Sequence, residues 1–369
     1  MFTVSKPIYL KKLNKEKNIT AFFAANFDCD GDNAILTIAG SSAYRVSVNG
    51  DFACFGPSKA VKGYAKFDTV DISKYVSFGL NQIVIECATY EDSSSDNFIQ
   101  AEVFSDNKVV AATGYNFIGF LDVERLKASN CGEKYNISGS SMIQTQVDVV
   151  TEIPILIKRD VPYPEYKIIK STTKIKEPVN IVNTYELNFA NKVCGFINIE
   201  FFAEKPVEFD ILNENDEYLM SIKTIDGEYI RESFNPYKVS KLKICVSNGS
   251  LSLKNAYIKE YSYYNGKKPK NTTESYDIEF YTQFSEFIAD YNDYRFSNVN
   301  FDEHLLSFQK YEKLYTKENK LTEAFLNIPL YATDTDIKNS MYKQILEKTL
   351  NDNQDISQIK YKRILRSLE

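Results

Sequence analysis

Two polar loops contain residues whose side chains suit recognition of a small polar ligand: the first spans 58–63 with the adjacent Tyr64, and the second spans 90–97. Loops positioned by a rigid scaffold often carry binding residues, and a tyrosine ring can lie against the apolar face of a sugar. We therefore predict a carbohydrate site at these loops, although the first loop could instead serve only to pack domains together. The candidate ligand-binding residues are Lys59, Lys62, Tyr64, Tyr90, Asp92 and Asn97.

Catalytic chemistry has few candidate residues in this sequence. His304 is the only histidine, so a Ser-His-Asp triad or a multi-histidine metal site would depend on one residue. The acids between Glu303 and Glu323 are interleaved with lysines, which is typical of a solvated helix face. We therefore assign no catalytic residue.

Metal binding is not predicted either. Asp28, Asp30 and Asp32 resemble the start of a calcium-binding loop, but Asn33 occupies the position of its glycine and Ala39 that of its final glutamate. The six cysteines are widely spaced without a Cys-x-x-Cys pair, so neither a zinc site nor a disulfide framework is indicated. We expect no metal and no cofactor.

The stretch from Tyr44 to Cys87 gives the clearest structural prediction. Apolar and polar residues alternate from Tyr44 to Val48, as in a half-buried strand, and Asn49-Gly50 suits the two-residue turn of a hairpin. Asp71 is placed to cap a short helical turn, and the alternation resumes at Ile83 as the next strand. The predicted order is hairpin, loop, short helical turn and strand.

Three motifs in and beyond this stretch resemble a known family. The sequence GPSKAVKGYAKFD (56–68) resembles the N-terminal domain of bacterial α-L-rhamnosidases of glycoside hydrolase family 78. The sequence KRDVPYP (158–164) resembles the connector that follows that domain, and residues 232–263 look like the end of the next module. The resemblance implies jelly-roll modules that flank, and do not form, the catalytic domain.

The domain prediction combines this resemblance with the strand patterns. Residues 1–150 are predicted as a first β-sandwich, a galactose-binding-like jelly roll, and 151–264 as a second one. Prolines between 150 and 169 indicate an extended crossing between the two domains. Asn248-Gly249 predicts a second hairpin near the end of the second domain.

The C-terminal part has a different composition. Residues 265–275 form a hydrophilic linker, and residues 276–369 are predicted to be helical because apolar residues such as Phe280, Phe284 and Phe287 follow helix spacing. The fold class is thus mainly β, with a small α-helical C-terminal region. The resemblance implies catalytic acids on an (α/α)6 barrel, whose twelve helices need roughly 140 residues, so we do not expect this tail to be that barrel.

Charge and hydropathy limit the partners. A net charge of −6 argues against nucleic acid, which needs clustered cations. The N-terminus lacks the apolar run of a signal peptide, and no stretch is apolar enough to span a bilayer, so we expect a cytoplasmic protein without membrane contact.

These observations lead to a functional hypothesis and two alternatives. The hypothesis is a catalytically inactive, truncated rhamnosidase-like protein, an accessory module that binds rhamnose-containing or other carbohydrate. One alternative is a scaffold that binds a protein partner through its helical tail. The other is a rhamnosidase-type hydrolase completed by another chain.

Overall fold

The computed structural model describes ten segments, all of them before residue 262. These are residues 2–30, 33–57, 64–89, 96–105, 108–127, 132–139, 142–159, 163–164, 166–175 and 184–261. In these segments the fold is mainly β, and the single helical element is a short 3₁₀ turn at Ser73–Tyr75. No helix in these segments is long and apolar enough to cross a membrane. The predicted linker at 265–275 and helical region at 276–369 lie outside the described residues.

The described chain divides into two compact units that are not continuous in sequence. The first unit contains residues 2–123 and 142–159, and the second contains residues 124–139 and those from 163 to 261. The predicted division into 1–150 and 151–264 stays a prediction, but the segment 124–139 packs with the second half of the chain.

The first unit consists of two sheets that enclose one core. The described strands of this unit are β1 (Ile8–Leu10), β2 (Thr20–Cys29), β3 (Ala34–Gly40), β4 (Ala43–Val48), β5 (Asp51–Gly56), β6 (Tyr64–Asp71), β7 (Gly79–Ala88), β8 (Ile99–Ser105), β9 (Lys108–Ala112), β10 (Ile118–Asp122), β13 (Met142–Thr145), β14 (Val147–Val149) and β15 (Ile155–Lys158); β11 and β12 belong to the second unit. Six of these strands form one sheet in the order β13-β10-β2-β7-β4-β5, and seven form the other as β14-β1-β8-β3-β6-β15 with β9 beside β8.

Local sequence explains the β4–β5 hairpin of this unit. Strands β4 and β5 pair in antiparallel orientation, and Asn49 and Gly50 between them both have positive φ, 52° and 86°, as a type I′ turn requires. The Asp71 carboxylate accepts a hydrogen bond from the Ser73 amide at 2.9 Å, at the start of the 3₁₀ turn. The predicted hairpin, short helical turn and following strand are present, but the predicted order omitted β6 (Tyr64–Asp71), which lies between the loop and the turn. The loop 58–63 lies outside the described residues.

The second unit is one nine-stranded sheet that curls around its own core, in the order β11-β12-β19-β18-β21-β17-β22-β16 with β20 beside β17. The long strand β17 pairs with β21 along its first half and with β20 along its second half, while β22 covers its other edge. The strands in the described part of this unit are β11 (Arg125–Lys127), β12 (Glu133–Ile137), β16 (Ile168–Lys170), β17 (Thr184–Ala203), β18 (Val207–Leu212), β19 (Tyr218–Thr224), β20 (Gly227–Glu232), β21 (Tyr237–Asn248) and β22 (Ser252–Glu260).

The second Asn-Gly hairpin prediction is wrong. Strands β21 and β22 flank β17 on opposite sides and do not pair with each other, because the edges of β21 are occupied by β17 and β18. Only Gly249 has positive φ here, and a Cβ on it would lie 2.6 Å from the Pro206 carbonyl oxygen. The glycine therefore permits a close approach of two backbones and does not form a two-residue turn.

The proline-containing connector is more regular than its sequence predicts. Between its prolines it forms β15, which adds to β6 in parallel, and further on β16, which pairs with β22. Each strand is short and lies at a sheet edge, where neighbouring prolines are tolerated.

The hairpin β11–β12 is held in the second unit by a buried carboxylate. Glu133 is 1% exposed and accepts hydrogen bonds from the backbone amides of Phe234 at 2.9 Å and Asn235 at 2.7 Å. Arg125 forms an ion pair with Glu133 at 3.5 Å, and its guanidinium lies 4.2 Å from the centre of the Phe234 ring. Buried charges need such partners, so the hairpin is an integral part of this sheet.

Candidate functional site

Both predicted binding loops leave the first unit at the same end, which the register of its strands defines. In the six-stranded sheet, Ala88 at the end of β7 lies opposite Ala43 at the start of β4. Tyr44 in turn lies opposite Gly56 at the end of β5. The chain thus enters the predicted loop 58–63 after β5 and the predicted loop 90–97 after β7 from neighbouring positions.

The seven-stranded sheet receives both loops at this same end. Gly40 at the end of β3 lies opposite Ile99 at the start of β8, and Ala39 lies opposite Phe67 near the start of β6. Ser41 and Ser42 join the end of β3 directly to the start of β4. We call this end of the first unit, where both loops begin and return, the loop end.

A buried cluster of Tyr44, Asp68 and Arg159 lies at the base of the first loop. Asp68 is 1% exposed, accepts a hydrogen bond from the Tyr44 hydroxyl, and forms an ion pair with Arg159 at 3.0 Å. A Cβ on Gly56 would lie 2.7 Å from the Tyr44 hydroxyl oxygen, so only glycine fits beside the cluster. Strand β5 ends at this glycine, followed by a cis Gly56-Pro57 bond.

The electrostatics of this cluster keep its tyrosine in the neutral form. Burial raises the pKa of the Tyr44 phenol well above its usual value, and the Asp68 carboxylate and the Cys54 thiol act in the same direction. Burial and then Asp68 likewise raise the pKa of Cys54. Tyr44 therefore stays a hydrogen-bond donor, and this closed arrangement supports the loop and offers no nucleophile to solvent.

The base of the second loop is fixed to the segment between β1 and β2. Thr89 donates its amide proton to the Ile19 carbonyl at 2.9 Å, and the Asn97 amide donates to the Asn14 carbonyl at 2.6 Å. The side chain of Asn97 donates to the Glu16 carbonyl at 2.7 Å. Both ends of this loop are thus anchored by backbone-directed hydrogen bonds.

The six predicted site residues have different positions relative to the described structure. Lys59, Lys62, Tyr90 and Asp92 lie outside the described residues. Tyr64 begins β6, but its side chain also lies outside them. Asn97 is 0% exposed and its amide is bonded to the backbone, so in this structure it positions the loop.

Sequence reasoning missed the Tyr44–Asp68–Arg159 cluster, although a signal for it was present. Asp68 closes the GYAKFD motif, and Arg159 belongs to the KRDVPYP motif, so the segments that carry the family resemblance meet here. No group of three or more metal-ligating side chains occurs among the residues that the structure describes. The buried cluster can therefore hold the base of the first loop in place, which is a structural role.

Comparison with solved structures identifies the type of fold. An α-L-rhamnosidase from Dictyoglumus thermophilum matches with a TM-score of 0.55 at 16% identity, over 99% of this chain and 51% of its own. A native α-L-rhamnosidase from Aspergillus terreus matches with a TM-score of 0.51 at 11% identity, over 77% of this chain and 39% of its own. No family model and no curated protein matches the sequence.

These matches confirm the resemblance predicted from the motifs. The chain has the fold of part of an α-L-rhamnosidase and spans about half or less of the length of the two enzymes. At such low identity the likeness concerns the fold alone.

Proposed function

We propose that this chain is a non-catalytic, rhamnosidase-like module that binds carbohydrate at the loop end of its first unit. The observation that carries the proposal is that both predicted binding loops begin and return at one end of a rigid sandwich. The Tyr44–Asp68–Arg159 cluster and the hydrogen bonds of Asn97 hold their bases. Anchored loops bind with a smaller loss of conformational entropy than free ones.

Isothermal titration of the purified chain with L-rhamnose and rhamnose-containing oligosaccharides tests this proposal. We expect saturable binding that the double variant Lys59→Ala/Tyr64→Ala weakens by about tenfold or more, since it removes a cation and an aromatic ring from the first loop. The matched control is Lys74→Ala/Phe78→Ala, which removes an exposed lysine and a ring that is 85% exposed at the opposite end of the first unit. L-Rhamnose binding that the loop variant leaves unweakened, or no binding of any sugar, contradicts the proposal.

The absence of hydrolysis is a second part of the proposal. It rests on the lack of any assignable catalytic pair in the sequence, because glycoside hydrolysis requires two carboxyl groups across a cleft. Release of the aryl group from an aryl α-L-rhamnoside by the purified chain would show that it is a hydrolase. Hydrolysis only after a second protein is added would support completion by another chain.

A further inference from the structure

The side of the six-stranded sheet that faces away from the core has an unusual composition. Along β2, Phe23 and Ala25 belong to the buried core of the first unit, whereas Phe22 and Ala24 do not. Successive side chains of a strand point to opposite faces, so Phe22 and Ala24 lie on the side away from the core. We call this side the outer face.

The centre of the outer face is apolar and includes two aromatic rings. Phe22 on β2 is directly opposite Phe120 on β10, and both are half-buried. In the next row, Ala24 lies between Ile118 and Val84, and Ile118 is 48% exposed. None of the five belongs to the core cluster, so their partly exposed surfaces form one apolar strip on the sheet.

Amide side chains border this apolar strip. Asn26 and Gln82 lie opposite each other on β2 and β7, and Gln144 lies opposite Phe120 on β13. All three are exposed, and so is Gln146, which follows β13. Gln82 donates to the Asn26 side chain at 3.4 Å, and Gln146 accepts from the Lys11 ammonium at 3.0 Å. An uncharged amide has two donors and an oxygen with two lone pairs, so each side chain keeps further hydrogen-bonding capacity.

The charges of the outer face are mostly acidic. Arg45 and Glu86 lie opposite each other on β4 and β7 and are 3.7 Å apart. Strand alternation places Asp28 on β2 and Asp122 on β10 on the same side, towards its borders. These acids disfavour an anionic ligand, and a nucleic acid would require unpaired cations. The apolar centre of the face therefore suits a neutral ligand.

A groove of about 460 Å³ adjoins this face where β10 runs beside the crossing from β13 to β14. Residues 117–119 and 144–147 line it, so it includes Ile118 and the amides Gln144 and Gln146. From β13 to β4 the face spans four strand spacings, or roughly 19 Å. This length suits several linked ligand units better than one.

We propose that the outer face binds a neutral oligosaccharide chain, as a site separate from the loop end. A sugar ring has an apolar face and an edge of hydroxyl groups. The rings of Phe22 and Phe120 suit its apolar face. The amides of Gln82, Gln144 and Gln146 can form hydrogen bonds with its hydroxyl groups.

The experiment compares three variants of the full chain by titration with neutral rhamnose-, xylo- and malto-oligosaccharides of increasing length. Gln82→Ala/Gln144→Ala removes two exposed amides of the face, and Phe120→Leu keeps apolar volume while it removes a flat ring. Asn191→Ala/Asn215→Ala is the matched control, because both amides are exposed in the second unit. We expect the two face variants to bind at least one oligosaccharide about tenfold more weakly. Their thermal unfolding should be unchanged, and the loss of affinity should grow with the length of the oligosaccharide.

The outcomes separate this site from the loop end. If Lys59→Ala/Tyr64→Ala abolishes all binding and the face variants bind normally, the outer-face proposal fails and the loop-end proposal stands. If the face variants lose binding and the loop variant does not, the outer-face proposal stands and the loop-end proposal fails. If sedimentation shows that Ile118→Arg dissociates a dimer of the wild type, the face joins two copies of this chain and the glycan proposal fails.

Discussion

The residues that carry the family resemblance are used mainly to position backbone. Gly56, Asp68 and Arg159 come from two separate motifs, and they meet with Tyr44 in one closed cluster. Asp68 and Arg159 are 91 residues apart in the chain, so no local pattern predicts their contact. The family resemblance pointed to these two motifs in the sequence. In the structure, residues from both motifs form one cluster that supports the base of the first loop.

Removal of the Asp68 charge is expected to destabilise the first unit strongly. In Asp68→Asn the buried Arg159 keeps its charge without an anion, which costs about 3–5 kcal/mol of unfolding free energy. Urea unfolding measures this loss. Tyr44→Phe removes one hydrogen bond and is expected to cost less, and the exposed Asp51→Asn is the neutral control. Equal stability of Asp68→Asn and wild type would show that the ion pair contributes nothing net.

At the scale of elements, the two Asn-Gly pairs show what local sequence can and cannot predict. At Asn49-Gly50 the neighbouring strands are free to pair, and the expected hairpin forms. At Asn248-Gly249 the same dipeptide ends β21, whose edges already pair with β17 and β18. Strand pairing between distant segments therefore overrides the turn preference there, and it also places 124–139 in the second unit.

Gly132, which precedes β12, is expected to tolerate no side chain. It has φ of 71°, and a Cβ there would collide with the backbone carbonyl of Leu219 on the neighbouring strand β19. Gly132→Ala should cost about 3 kcal/mol or more in unfolding free energy, since a backbone must shift.

Gly50→Ala is the matched control, because Gly50 also has positive φ, 86°, but nothing lies within 4 Å. It should cost only about 1–2 kcal/mol. Similar losses of unfolding free energy in both variants would show that the strain of a positive φ, and not the clash with Leu219, causes the destabilisation.

At the scale of the whole molecule, the acid stability of the first unit should depend on how its N-terminal segment is attached. The carboxylate of Glu102 on β8 accepts hydrogen bonds from the backbone amides of Thr3, Val4 and Ser5, at 3.0, 2.9 and 3.0 Å. Burial acts to raise the pKa of Glu102, but these bonds together outweigh it and leave the pKa below its usual value.

The pH dependence follows from the sign of this shift. A lowered folded-state pKa means that the contribution of Glu102 is fully present above its ordinary value of about 4.3 and is lost as the pH falls through the folded value. Unfolding free energies measured from neutral to acid pH should therefore fall less steeply in Glu102→Gln than in wild type. The exposed Glu152→Gln serves as control and should keep the wild-type slope. Identical slopes in all three proteins would exclude this role for Glu102.

The mainly β fold and its likeness to part of a rhamnosidase were predictable from the sequence, because alternating strands and short motifs are local features. The division of strands between the units was not, since Glu133 and its partners Phe234 and Asn235 are about a hundred residues apart, with separations of 101 and 102.

The insertion of 124–139 has a consequence for the inheritance of such modules. Within the described residues, the chain passes between the two units at 123–124, between 139 and 142, and between 159 and 163. A recombination breakpoint near residue 150 would separate the second unit from β11 and β12 and leave the edge of β19 uncovered. Since the segments of the two units alternate along the chain, no single breakpoint leaves both units whole, and we expect them to be inherited together.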